Sequence, residues 1–326
     1  MNILIVGYGS IGKRHIKNLL NISNAKIIIY TKQKFSPSDK RIIVSNDLDI
    51  CLKMKPEIGF VTNETSYHIP IAMKLAKSGI DLFLEKPLSN SMKSVHALES
   101  IVQKNKLITQ MGCHLRFHPC LKKIKQLIDK KFLGKIISIQ VENGSYLPDW
   151  HPYEDYRKGY AAQDDLGGGV TLTCIHEIDY LYWFFGQLSE ISSITGKFSD
   201  LELTTDDYST SIMKFKNGII GELHLDYFQR PEFRQCKIRG TKGILYWNSD
   251  NNEVKFFNAK QNNWKTILKL NNFERNNMYE DEIKYFLKCV KQRQNTLNNV
   301  SQGIKTLEIA LSMKKSSKTR RFVSFS

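Results

Sequence analysis

The sequence contains no closely spaced cysteines. Its six, Cys51, Cys113, Cys120, Cys174, Cys236 and Cys289, stand far apart without a C-x-x-C unit. That removes the usual signature of a zinc or dithiol redox site, so no metal centre is expected and free, buried thiols are. Long apolar runs are missing too. The first apolar stretch, Ile3 to Val6, stops at Gly7, far short of the ~20 residues that a membrane-crossing helix needs. It also lacks the basic flank, long apolar stretch and small-residue cleavage site of a secretory leader. These absences give the expectation of a cytoplasmic chain with no membrane partner. There is no internal repeat. A content of 41% hydrophobic and 25% charged residues leaves enough apolar surface to offset chain entropy, which excludes general disorder.

Acids are outnumbered: 48 Lys and Arg face 32 Asp and Glu, for a formal net charge of +16. The excess is spread rather than clustered. Over Cys120 to Asp129, Leu121, Ile124, Leu127 and Ile128 define one helical face while Lys122, Lys123 and Lys125 fall mostly away from it, as on a solvated surface. Net charge speaks to steering more than to fold. Nucleic acid is therefore not expected as a partner, and an anionic small ligand suits the charge better.

At 326 residues the chain exceeds the usual size of a single core, so two domains are expected. The first half alternates short β-branched runs with helix-period segments, the pattern of a parallel sheet with crossover helices. Strands are expected at Asn2 to Val6, Lys26 to Tyr30, Ile58 to Val61, Asp81 to Leu84 and Leu107 to Met111. The pattern changes after Pro119, giving domains 1–119 and 120–326. In the second, a Lys-rich helix leads to a strand at Ile136 to Glu142, a polar-aromatic loop from Asn143 to Leu166, and a helix through His176 and Trp183. Antiparallel strands follow from Tyr208 to Trp247, with Asn217-Gly218 as a hairpin turn. An amphipathic helix spans Met278 to Val290, with acids early and lysines late, as the helix dipole prefers. The basic tail, Lys314 to Arg321, reads as including a mobile surface stretch.

Gly7-Tyr8-Gly9-Ser10-Ile11-Gly12 fits G-x-G-x-x-G between a strand and a helix, the context that a dinucleotide-binding loop requires. Gly7 serves the tight turn, Gly9 lets backbone approach a pyrophosphate, and Gly12 allows close helix packing. The amides of Ser10 and Ile11 open the helix towards the phosphates. An NAD site usually ends its second strand on a carboxylate, which bonds the ribose hydroxyls. Here Tyr30-Thr31-Lys32 stands instead, and Thr31 with Lys32 favours NADP(H) over NAD(H). Read without a ligand, Lys32 is one more surface lysine.

Phe83-Leu84-Glu85-Lys86-Pro87-Leu88-Ser89 resembles the glucose-fructose oxidoreductase, inositol dehydrogenase and rhizopine catabolism (Gfo/Idh/MocA) family. The resemblance extends to Val61-Thr62-Asn63 with His68, to Leu115-Arg116-Phe117-His118-Pro119, and to Gly167-Gly168-Gly169 leading to His176-Glu177-Ile178-Asp179. It implies an α/β protein: an N-terminal Rossmann doubly wound parallel sheet plus a C-terminal α/β domain with an open, mostly antiparallel sheet that supports a homo-oligomer, dimer or tetramer. It also implies oxidation or reduction of a hydroxyl or carbonyl on a sugar or polyol. Lys86 takes the acid/base position, Glu85 frames the cofactor with Thr62, Asn63 and His68, and the Lys86-Pro87 bond is expected to be cis. His176 matches the proton-relay position. A partly desolvated lysine can take the carbinol proton or polarise the carbonyl in reverse, and an imidazole titrates in the range a relay needs.

One departure stands out. Many members carry an aspartate three or four residues before the histidine, where Leu172 and Thr173 stand here. Asp179, one turn after His176, is a substitute for that carboxylate or else a packing residue. Arg116, Thr173 and Asp179 join the aromatic loop residues Trp150, Tyr156 and Arg157 as substrate candidates. Aromatic faces and a guanidinium suit a polyhydroxylated, anionic ligand, and packing between domains or subunits explains the same residues. The resemblance is nearest to members from surface-glycan and nonulosonic-acid pathways, which implies an anionic or nucleotide-activated sugar. The alternatives are an epimerase or lyase that uses transient oxidation, and an inactive dinucleotide or sugar sensor.

Overall fold

The computed structural model describes residues 1–325 and divides them into two compact units, 1–114 with 275–307, and 115–274 with 308–325. The grouping differs from a single division near Pro119. The 275–307 segment belongs with the first unit because its long helix carries Ile283, Phe286 and Cys289 into that unit's core, beside Ile3, Phe60 and Phe83.

The first unit is built on six parallel strands in the order β3-β2-β1-β4-β5-β6, with β1 Asn2–Val6, β2 Lys26–Tyr30, β3 Ile42–Ser45, β4 Ile58–Val61, β5 Asp81–Glu85 and β6 Thr109–Gly112. β1 lies in register between β2 and β4, with Val6 opposite Tyr30 and Val61. Apart from β6, Thr-Gln-Met-Gly, these runs are mostly hydrophobic, as in a parallel sheet whose faces helices cover. The helices are α1 Ser10–Ile22, α2 Leu48–Lys53, α3 His68–Lys77 and α4 Val95–Lys104. The order reverses between β1 and β4, and their carboxyl ends carry Gly7 and Thr62. Such a reversal opens a crevice where open α/β sheets take ligands. β3 is the strand that periodicity did not indicate: four residues at the sheet edge, none of them buried.

The second unit carries nine strands in the order β14-β13-β12-β11-β7-β10-β9-β8-β15. They are β7 Ile136–Gly144, β8 Leu188–Gly196, β9 Tyr208–Phe215, β10 Ile220–Asp226, β11 Phe233–Gly240, β12 Gly243–Asn248, β13 Glu253–Asn258, β14 Asn263–Lys269 and β15 Val323–Ser324. All pairings are antiparallel except β7 with β10. Gly218, at φ +86°, makes the β9–β10 turn that Asn217-Gly218 announces. Helices α5 Pro119–Asp129, α6 Val170–Thr173 and α7 Ile175–Phe185 pack on one face of this sheet. The helix expected through His176 is thus two, broken at Cys174 (φ −90°, ψ 32°). The aromatic loop is folded too, into three short 3-10 turns at Leu147–Trp150, Tyr156–Lys158 and Tyr160–Ala162.

Two long helices close the chain, α8 Asn276–Gln292 and α9 Val300–Thr319. The tail is therefore helix rather than a mobile stretch. Lys314 pairs with the buried Asp206 at 2.8 Å, and the Ser316 hydroxyl donates to the Arg321 carbonyl (2.7 Å) while accepting from the Ser193 amide (3.1 Å). Hydroxyls are weak helix formers on their own, and here tertiary hydrogen bonds override propensity. All six cysteines are free and buried, and no helix among the described residues is long and apolar enough to cross a membrane.

Candidate functional site

The glycine loop joins the end of β1 to the start of α1. Gly7 has φ +104°, and a Cβ there would lie 2.8 Å from the Asn63 amide nitrogen. A Cβ on Gly12 would lie 2.4 Å from the Gly7 carbonyl and 2.9 Å from the Thr62 hydroxyl. Both glycines are thus required by the protein's own packing. Gly9 is different: its φ is −76° and a Cβ there meets nothing within 4 Å. Gly9 is the N-cap of α1, where no side chain caps the amides of Ser10, Ile11 and the next residues. Nothing inside the protein demands glycine at this position. A group arriving from outside does, and an anion at an uncapped helix start is the chemistry the position fits. The loop therefore fits a dinucleotide's pyrophosphate.

Thr62 and Asn63 follow β4 directly. The Thr62 hydroxyl donates to the Val6 carbonyl at 3.0 Å, which pins the two strand ends of the crevice together. His68 opens α3, and its nitrogens lie 2.8 Å from the Pro87 carbonyl oxygen and 2.9 Å from that of Asn63. At the end of β2, the Thr31 hydroxyl accepts from the Gln33 amide at 3.1 Å, and Lys32 is exposed. Beyond them, Phe35 stacks on Tyr8 at 4.0 Å with the rings nearly parallel, and the Lys13 ammonium lies 5.0 Å from the Tyr8 ring.

β5 delivers Glu85 and Lys86 to the same end of the sheet, and the Lys86-Pro87 bond is cis. The Glu85 carboxylate is buried, lies 2.7 Å from His15 Nε2 and accepts the Lys86 amide at 3.2 Å. Gly112 on β6 makes room for it, since a Cβ there would fall 2.8 Å from Oε1. Sequence reasoning missed His15 and Tyr279. Tyr279 is stacked on His114 at 4.2 Å with Arg14 above its other side at 4.5 Å, and burial holds its phenol above the usual range. The signal for His15 was present: a histidine beside Ile16 on the buried face of α1, three residues past Gly12. Tyr279 was visible as part of an amphipathic stripe, but nothing in that stripe named what it packs against.

In the second unit the substrate candidates fall into two groups. Arg116 and Asp179 are buried and bonded to each other through two contacts of 2.8 Å, with Trp183 under the guanidinium. Asp179 is thus engaged by Arg116. His176 and Thr173 are buried, on either side of the α6–α7 break. Burial pushes the Tyr227 phenol well above its usual range. Trp150 meets Tyr227 edge to face at 5.4 Å and donates its indole proton to Ser145 at 2.9 Å. Tyr227 therefore packs under the aromatic loop, a role with no sequence signal because a tyrosine after a strand is commonplace. Tyr156 and Arg157 lie apart at the surface. The Tyr156 hydroxyl accepts from the Glu202 amide, and Arg157 pairs with Asp155 at 2.8 Å and Glu202 at 3.4 Å. Those carboxylates raise the guanidinium's pKa further. Among the described residues no group of three or more His, Cys, Asp or Glu side chains is arranged to hold a metal.

Comparison with known proteins agrees with the fold. Residues 1–113 match an oxidoreductase family with an NAD-binding Rossmann fold, and residues 121–246 match the GFO/IDH/MocA C-terminal domain. The oxidoreductase YrbE of Bacillus subtilis is 25% identical over 94% of this chain and 91% of its own. The myo-inositol 2-dehydrogenase of Thermotoga maritima is 23% identical over 99% and 98%. Among solved structures, a levoglucosan dehydrogenase in complex with NADH superimposes with a TM-score of 0.88 at 15% identity, covering 100% of this chain and 99% of that one.

Proposed function

The chain belongs to the Gfo/Idh/MocA oxidoreductase family, and on that premise we propose that it moves a hydride between a nicotinamide dinucleotide and a carbinol or carbonyl carbon of a sugar or sugar derivative. The observation that carries the proposal is Gly9, a glycine that the protein's own packing does not require, at the mouth of an uncapped helix. Bound there, the dinucleotide supplies the hydride acceptor or donor. Lys86 gives or takes the proton at the substrate oxygen, held by a backbone whose amide is fixed on Glu85. The family resemblance assigns the proton-relay role to His176. Asp179 is tied to Arg116 through two contacts of 2.8 Å. The named relatives, a myo-inositol and a levoglucosan dehydrogenase, support a polyol or sugar as substrate. An anionic substituent finds more support in the net charge of +16 than in Arg157, whose guanidinium already faces two carboxylates.

Thr31 and Lys32, with no carboxylate between Tyr30 and Gln33, favour NADP(H). Fluorescence titration with NADH and NADPH is expected to give binding to both and tighter binding of NADPH. Single-turnover mixing with a panel of polyols and sugar acids then tests the chemistry. Lys86→Ala is expected to keep dinucleotide affinity and to lower turnover by about a hundredfold or more. Turnover at the wild-type rate in that variant rejects the assignment of Lys86. A failure of the wild type to bind either dinucleotide rejects the proposal as a whole.

A further inference from the structure

Two buried imidazoles flank the Glu85-Lys86-Pro87 turn, and both belong to the dinucleotide-binding unit. His15 holds the Glu85 carboxylate from the α1 side. His68 holds the turn from the α3 side, and it does more than hold one partner. It is 1% exposed, its Nδ1 lies 2.8 Å from the Pro87 carbonyl oxygen, and its Nε2 lies 2.9 Å from the Asn63 carbonyl oxygen. Asn63 in turn abuts the glycine loop, with its amide nitrogen 2.8 Å from where a Gly7 Cβ would stand. One side chain therefore touches both the turn beside the glycine loop and the turn that presents Lys86.

The chemistry of those contacts is specific. Carbonyl oxygens only accept, so each contact is a hydrogen bond only when that ring nitrogen carries a proton. A neutral ring has one proton and satisfies one turn at a time, and an imidazolium satisfies both. Burial draws the imidazole towards the neutral form, while the two carbonyls and the carboxylates of Glu85 and Glu64 oppose it. An apolar side chain of similar size would fill the space and tie neither turn.

We propose that His68 is a positioning residue that couples the dinucleotide side of the crevice to the Lys86 turn. The assignment rests on the functional reading above in taking Lys86 as the acid/base. Asn and Gln separate the two contacts: an asparagine amide reaches roughly where Nδ1 stands, and a glutamine amide roughly where Nε2 stands. His68→Asn keeps the Pro87 contact and loses Asn63; His68→Gln does the reverse.

The test measures two quantities on folded variants whose melting matches wild type. One is the Kd for NADH and NADPH by fluorescence. The other is the rate at which an amine reagent labels Lys86 in the dinucleotide-free protein, followed by mass spectrometry. His68→Asn is expected to weaken dinucleotide binding by about tenfold, the effect of losing one net hydrogen bond, and to leave the Lys86 labelling rate near wild type. His68→Gln is expected to keep the Kd within about twofold and to change the labelling rate by about threefold or more. The proposal is overturned when both variants leave both quantities unchanged, or when both shift them by the same factors. A wild type that binds neither dinucleotide overturns the cofactor reading instead, and the Lys86 labelling contrast between Asn and Gln then decides the role of His68 alone.

Discussion

The three glycines of the loop are alike in the sequence and unlike in what a methyl group would meet. At Gly12 the added Cβ runs into the Gly7 carbonyl, a backbone atom that cannot swing aside. Gly12→Ala is therefore expected to destabilise the fold by about 1–3 kcal/mol, as overpacking of a fixed site does. Gly9→Ala adds its methyl to open space at an ordinary φ of −76°. It is expected to leave the melting curve in place while weakening NADH binding by about tenfold or more, since the methyl stands where phosphate oxygens approach the amides. Paired thermal melts and titrations check this, and equal melting losses in both variants would remove the argument that an external group explains Gly9. The two arginines offered as substrate ligands separate in the same way. Arg116→Ala removes both 2.8 Å contacts from the buried Asp179 carboxylate and is expected to cost about 3–5 kcal/mol in urea denaturation. Arg157→Ala, at a surface pair that water already screens, is expected to leave stability unchanged.

Helix α5 shows how an element can be legible while its cap is not. Pro119 at the first turn and the apolar stripe from Leu121 to Ile128 are readable in the sequence. His118 as N-cap is not, because imidazole is no common capping group. Its Nδ1 accepts from the Cys120 amide and its Nε2 faces the Asn252 side-chain oxygen, so the fold holds the neutral ring. Burial, aided by the nearby Arg234, lowers its pKa to about 4. An unfolded chain titrates near 6.5. Above that pH both states are neutral and the contribution is complete. As pH falls from about 6.5 towards about 4, the unfolded state takes up a proton that the folded state refuses, and stability drops by roughly 3 kcal/mol before levelling. His118→Asn keeps a good cap and removes the proton, so the difference in unfolding free energy between the two proteins should shift by about that amount between pH 7.5 and pH 4; parallel pH curves would contradict it. Elsewhere legibility tracked where the stabilising contacts lie. Strands β1, β2 and β4 were readable because their own apolar side chains are buried along the run. The edge strand β3 and the tail of α9 were not, since a backbone ladder secures the first and tertiary hydroxyl and ion-pair contacts such as Lys314 with Asp206 secure the second. In the site, the glycine loop, Glu85 and Lys86 were readable from spacing, whereas His15, Tyr279 and Tyr227 depend on contacts between distant segments that no local pattern encodes.

At the scale of the molecule, the nine-stranded sheet leaves apolar side chains on the face opposite α5, α6 and α7. Ile194 and Ile212 are each 59% exposed and Trp264 is 50% exposed, and the register places Ile244, Phe257 and Trp264 in one row across three strands. The open sheet is therefore expected to seat a second copy of the chain, which would bury these residues. Charge opposes that pairing, because each copy carries a formal +16 and like charges repel over the ~8 Å Debye length of physiological salt. Association should accordingly strengthen as salt rises, the reverse of what a contact built on ion pairs would show. Ile212→Lys puts one more positive charge on the face, at a side chain that contributes little to its own unit. Sedimentation equilibrium is expected to show wild type as a dimer or larger, more so at 0.5 M than at 0.05 M salt, and Ile212→Lys as a monomer with unchanged melting. A monomeric wild type, or a variant that associates as before, would assign the exposed apolar row to something other than self-association.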